Sequence, residues 1–143
     1  MAINQNYLFD TNIFLEIFLS QENSELSKSL INNKNLNTIF ISDFSLHSVG
    51  VILSRKNKSE MFEAFIDDIL MSNKFKVLSV SIDKMPNIIK NINLHNLDFD
   101  DAYQLTISTI YNLGIVTYDK DFNKIDINSI SPFNLSNLLN NYQ

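Results

Sequence analysis

Six aspartates stand where the chain changes character: Asp10, Asp43, Asp100, Asp101, Asp119 and Asp121. Asp10 closes the apolar run Tyr7-Leu8-Phe9 and leads into Thr11-Asn12, and Asp43 follows Thr38-Ile39-Phe40-Ile41-Ser42. Asp119 and Asp121 follow Ile115-Val116-Thr117-Tyr118. Carboxylates gathered in one place repel one another, and crowding raises their pKa. A cation offsets that cost, and a set of oxygen ligands without cysteine suits Mg2+ or Mn2+. One or two such ions can activate a water and stabilise displacement at a phosphodiester. Each acid also has a plainer use. Asp10 could cap a helix, Asp98 fits a cap better than a ligand, and Asp100 and Asp101 complement a helix dipole. The stretch YDKDF could simply be a loop. The joint pattern is more specific than any member of it.

These acids need elements that bring them together. Four short runs read as strands: 6–9, 38–41, 75–80 and 115–118, the first and last of them buried, with 128–130 a shorter fifth. Helical spacing fills the intervals. Ile13, Phe14, Ile17 and Phe18 share one face; this aromatic-rich helix suits core packing better than an interface. Ser24 could cap a helix running to about Lys34, and Ser42 or Asp43 could open one carrying Leu46, Val49, Gly50 and Leu53. Ser59 could cap a helix with the stripe Met61, Phe62, Phe65, Ile66 and Ile69. Ser81 precedes a stripe of Ile82, Met85, Ile88, Ile89 and Ile92. Asp98 could start a helix to about Asn112, with Gly114 at its stop, and Ser131-Pro132 reads as a last helix start. Strands separated by helices predict an α/β fold with a parallel sheet covered on both faces. Ligands of such sheets bind beyond the carboxyl ends of the strands. Asp10, Asp43 and Asp119 all fall at that end.

Composition bounds the rest. The 143 residues suit a single domain over 1–143, and 45% hydrophobic with 19% charged residues is an ordinary globular balance. The absence of cysteine excludes disulfides, thiol catalysis and Cys-based zinc sites. The N-terminal residues lack a basic segment, and no apolar run approaches the roughly 18 residues of a membrane span. A cytoplasmic protein without a membrane partner is therefore expected. The net charge of −5 argues against a general electrostatic grip on nucleic acid but leaves room for local basic strips. Arg55-Lys56-Asn57-Lys58 is the densest, and a solvated helix end is its simplest explanation. Asparagine is abundant throughout and carries no functional signal by itself.

LFDTNIFLEIF, ISDFSLHSVGVIL, LDFDDAYQLTIS and GIVTYDKDF, in this order over roughly residues 7 to 125, resemble the motifs of PIN domains, the nuclease module of many bacterial toxins. The resemblance implies a three-layer α/β/α fold around a parallel sheet of about five strands. It also implies a Mg2+- or Mn2+-dependent endoribonuclease, often a homodimer and, as a toxin, covered by an antitoxin protein. On the matching positions, Asp10, Asp101 and Asp119 resemble the catalytic, metal-binding acids, and Asp121 a further acid. Asn12 and Thr117 resemble supporting polar residues. Lys120 and Lys124, with Arg55 and Lys58, could contact RNA phosphates.

One position departs from the pattern. PIN domains usually carry a glutamate where this chain has Ser48, with His47 beside it. A neutral hydroxyl is a weak ligand. Three answers are open: Asp43 reaches in from one turn earlier, His47 supplies a ligand, or the site is weakened into an RNA- or protein-binding module. Two other classes fit less well. LFDTN faintly resembles the haloacid-dehalogenase phosphatase motif but has Asn12 where that chemistry needs a second aspartate. A dinucleotide-binding reading lacks its glycine loop, since the chain has only Gly50 and Gly114.

Overall fold

Runs rich in β-branched and aromatic residues form the five strands of the sheet: β1 (Tyr7–Phe9), β2 (Ile39–Ser42), β3 (Phe75–Leu78), β4 (Gly114–Val116) and β5 (Ser129–Ile130). The computed structural model describes residues 5–125 and 127–141. The expectation about an N-terminal leader falls in part on residues 1–4, outside these. All pairings are parallel, in the order β3-β2-β1-β4-β5. Leu8 sits opposite Phe40 on one side and Ile115 on the other. Chain order therefore runs outward in both directions from β1, and the topological switch point lies between β1 and β4.

Seven α-helices accompany the sheet among the described residues: α1 (Thr11–Phe18), α2 (Ser24–Ile31), α3 (Asp43–Arg55), α4 (Ser59–Met71), α5 (Pro86–His95), α6 (Phe99–Tyr111) and α7 (Pro132–Asn140). Alternation along the strands divides the core in two. Tyr7, Phe9, Ile39 and Ile41 face a layer of α1, α2, α3, α4 and α7, through Phe14, Leu30, Val49, Phe65 and Leu135. Leu8 faces the opposite layer, where Ile88 of α5 and Ala102, Tyr103 and Ile107 of α6 pack. This is the three-layer α/β/α arrangement. No helix among the described residues is long and apolar enough to cross a membrane.

Local chemistry starts and stops the helices. The Asp10 side chain caps α1, Ser42 caps α3 by accepting from the Ser45 N–H, and Ser131 caps α7 ahead of Pro132. Ser24 and Ser59 instead lie inside their helices; Asn23 and Lys58 precede them without a side-chain cap bond, and α2 stops at Ile31. Asparagines supply left-handed residues that many chains assign to glycine: Asn57, Asn96 and Asn112 have φ of 56°, 53° and 54°. Asn112 ends α6, so Gly114 is not the helix stop. It opens β4, where a Cβ would stand 2.7 Å from the ring of Tyr7. The stripe from Ile82 to Ile92 is also corrected. A 3-10 turn over Ile82–Lys84 precedes α5, which breaks the helical register; only Ile88 is buried, and Ile82 is 80% exposed.

Candidate active site

The site grows from the end of β1. Asp10 continues the strand in extended conformation, and its N–H donates to the Val116 carbonyl at 2.9 Å, tying it to the end of β4. Its carboxylate is buried and receives four donors. Oδ1 accepts from the Thr11 N–H at 2.8 Å and Gln104 Nε2 at 3.2 Å. Oδ2 accepts from Thr117 Oγ1 at 2.7 Å and, at a longer 3.5 Å, from Asn12 Nδ2. Asn12 and Thr117 form one bracket: Asn12 Nδ2 donates to Thr117 Oγ1 at 3.1 Å, and Asn12 Oδ1 accepts from the Tyr118 N–H at 3.3 Å. Thr117 Oγ1 also accepts from the Asp119 N–H at 2.9 Å. The bracket thus sets the course of the backbone from β4 into Asp119.

A cleft of about 330 Å³ opens over this bracket. Asp10 and Asn12 line it from the end of β1, Asp100, Asp101 and Gln104 from α6, Asp119 from the end of β4, and Ser48 from α3. A second cavity of about 430 Å³ adjoins it, lined by Asp101, Asp121, Lys124 and His95 among others, so Asp101 stands between the two. Asp121 belongs to that second cavity; its N–H donates to Asp119 Oδ1 at 2.8 Å, and it pairs with Lys124 at 3.4 Å on the surface.

Burial and like charge act together on these acids. Burial holds Asp10 above the usual carboxylate range, against the hydrogen bonds from Thr117, Gln104 and Thr11 that pull it down. Burial first, and then the charges of Asp100, Asp10, Asp119 and Asp98, push Asp101 up to about 7. The sign of the linkage follows. The folded state holds a proton on Asp101 that the unfolded chain releases near pH 4, so ionisation destabilises the fold across the window from about 4 to about 7. Asp10 acts in the same direction. The melting temperature should therefore fall as pH rises through that window, and Asp101→Asn should flatten the slope. An equally steep slope in the variant would refute this cause.

The chain from Tyr7 to Asn128 matches the family model described as PIN domain, over residues 7–128. The protein belongs to the PIN domain family. Its fold is shared with solved structures of low identity. A toxin–antitoxin complex from Klebsiella pneumoniae matches at 20% identity and a TM-score of 0.71, covering 89% of this chain and 98% of that one. VapC20 of Mycobacterium tuberculosis, described as a Sarcin-Ricin loop cleaving toxin, matches at 16% and 0.72, covering 85% and 96%. VapBC2 of Rickettsia felis, bound to a DNA fragment from its promoter, matches at 18% and 0.65, covering 89% and 98%. No curated protein matches significantly by sequence.

PIN-domain nucleases generally depend on a divalent metal. The donors of this PIN domain fit such an ion in kind: hard oxygens, on carboxyl groups that burial first and mutual repulsion second make costly to ionise without a cation. The cage is not closed, because no three acidic or imidazole side chains among the described residues already converge to ligand distance. Ser48 is on the cleft wall together with the acids. The residues suggested to compensate for it lie elsewhere. Asp43 does not line the cleft; its Oδ1 accepts from the Tyr103 hydroxyl at 2.7 Å and the Phe44 N–H at 2.8 Å. His47 is exposed and lines a shallow groove that adjoins the cleft and shares Phe44, Ser48 and Ile52 with it, but His47 is not on the cleft wall itself. Arg55 is exposed at the end of α3, on the stripe of Ser48 and Ile52 and about 10 Å along the helix from Ser48. Lys58 follows the helix end, and Lys120 is exposed beside Asp119.

Gln104 and Ser45 are site residues that motif reading passes over. Gln104 Nε2 donates to Ser45 Oγ at 2.8 Å as well as to Asp10, and Thr11 Oγ1 donates to the same Ser45 oxygen at 2.7 Å. A signal for Gln104 existed: it falls three residues after Asp101, on the same helix face, at a core position flanked by apolar residues.

Proposed function

We propose that this PIN domain is a metal-dependent endoribonuclease that hydrolyses RNA phosphodiester bonds. In this reading it is the toxin of a toxin–antitoxin pair, acting in the cytoplasm as a homodimer. The observation that carries the reading is the convergence of Asp10, Asp101 and Asp119 on one cleft at the β1/β4 switch point. Asp10, Asp101 and Asp119 would hold Mg2+ or Mn2+, with Asp121 a further acid at the border of the neighbouring cavity. A divalent ion there supplies the positive charge that activates water and neutralises the phosphate.

The chain's own residues do the positioning. Thr117, Thr11 and Gln104 fix both oxygens of Asp10, and the long contact from Asn12 leaves Oδ2 the more available of the two. Asp101, raised to about 7 without the ion, would give up its proton on binding the cation, so Mn2+ affinity should rise with pH through that range. Lys120, Lys124, Arg55 and Lys58 would meet backbone phosphates beyond the acids. The toxin–antitoxin architecture of the Klebsiella relative supports an antitoxin partner, and the description of the Mycobacterium protein supports RNA as the substrate class.

The test is cleavage of a mixed structured RNA pool in Mn2+, in Mg2+ and in EDTA. Cutting with either ion and none in EDTA is the expected result; folded protein that cuts in neither ion would end the proposal. A second reading, a PIN-like RNA- or protein-binding module with a weakened site, draws support from Ser48 on the cleft wall without a carboxylate. Ser48→Glu separates the two. If the scaffold is otherwise competent, the added carboxylate should raise Mn2+ affinity and the cleavage rate by about tenfold or more, in line with the effect of a metal-site ligand. Unchanged metal affinity and rate in the variant would favour the binding module.

A further inference from the structure

Gln104 carries a polar atom that the rest of the fold leaves without a partner. The residue is 2% exposed on the cleft wall. Its Nε2 is committed to Asp10 Oδ1 and Ser45 Oγ, whereas its Oε1 is buried and lacks a hydrogen-bond partner among the described residues. Buried polar atoms in native folds are almost always paired, and an orphan costs as much as a lost hydrogen bond or more. Turning the amide over does not relieve it. Oε1 would then face the Asp10 carboxylate, acceptor against acceptor, and Nε2 would be the orphan.

The placement supplies a reason. Gln104 follows Asp101 by one turn of α6 and reaches to Ser45 of α3, and Ser48 follows Ser45 by one turn of that helix. Gln104 and Ser48 line the same cleft, where Ser48 brings no carboxylate and Gln104 Oε1 is a polar oxygen left without a partner among the described residues. Amide carbonyl oxygens are ordinary ligands of hard divalent cations. We infer that Gln104 Oε1 is a neutral oxygen donor toward the cation, used by this chain in place of a carboxylate from position 48, while Nε2 holds Asp10. The inference rests on the metal-dependent reading above.

Mn2+ binding to the full chain without RNA tests it, measured by titration calorimetry and by the Mn2+-induced rise in melting temperature. Gln104→Met keeps the length and removes both polar atoms; its Mn2+ affinity should fall about tenfold or more with helical circular dichroism retained. In the parent's Mn2+ complex, a hyperfine coupling from 13C-labelled glutamine side-chain carbonyl carbon should appear, which loss of the Asp10 contact alone would not produce, and it should be absent in Gln104→Met. Gln104→Met that binds within twofold of the parent overturns the inference and leaves the nuclease reading standing. The carbonyl coupling decides the matter should the methionine variant not fold, and its absence in the Mn2+-loaded parent overturns the inference equally. A parent protein that neither binds Mn2+ nor cuts RNA removes the metal-dependent reading itself.

Discussion

Asp10→Asn should lose metal-dependent RNA cleavage by on the order of a hundredfold or more and remain folded. The loss is large because Asp10 is the most deeply buried of the cleft acids and its charge cannot be replaced by solvent. The fold should survive because asparagine preserves the shape and the bonds that start α1. Its carbonyl oxygen can take the place of Oδ1, accepting from the Thr11 N–H and Gln104 Nε2, whereas the bond from Thr117, whose oxygen already accepts from Asn12 and Asp119, is lost. Removing a buried charge that already sits above its usual pKa, beside Asp119, also relieves repulsion. Cleavage rate in Mn2+ and thermal melting, measured on the same preparation, check both halves. A variant that cuts within threefold of the parent would exclude Asp10 from the chemistry.

Phe14→Ala should be the most damaging single truncation in the layer that supports α1, at about 3–5 kcal/mol. Phe14 is 2% exposed, and its ring centroid lies 5.3 Å from that of Phe65, which in turn meets Phe18 at 5.1 Å and Phe75 at 5.9 Å. Truncation removes the transfer energy of the ring and opens a cavity between α1 and α4 that rigid neighbours cannot fill. The melting temperature should drop by roughly 10–20 °C. Phe18 is only half-buried, so Phe18→Ala should cost markedly less. Urea unfolding of both variants, with an unchanged m value, is the measurement; equal costs would contradict this picture of the core. The effect reaches function because α1 begins at Asp10: the helix that Phe14 anchors is the one that carries Asn12 into the cleft.

The sequence by itself determined the elements and the end of the sheet that matters. Strand and helix order, the caps at Asp10, Ser42 and Ser131, and the position of Asp10 and Asp119 after buried runs are all local properties, set by side-chain type and spacing within a few residues. That is why the α/β arrangement and the family were legible from LFDTN and IVTYDKDF. Tertiary structure decided which polar groups actually meet. The strand order brings Thr117 within 2.7 Å of Asp10 across 107 residues of chain, and α6 delivers Gln104 to the same carboxylate. Asp43, equally well placed in sequence, is drawn away by the Tyr103 hydroxyl. The stripe around Ile82 failed for the same kind of reason: periodicity describes a face, but only a neighbouring element can bury it, and α6 covers Ile88 and leaves Ile82 and Ile89 in solvent. Gly114 marks the limit most plainly. Its lack of a side chain answers to the ring of Tyr7, a residue more than a hundred positions away that no local pattern could connect to it.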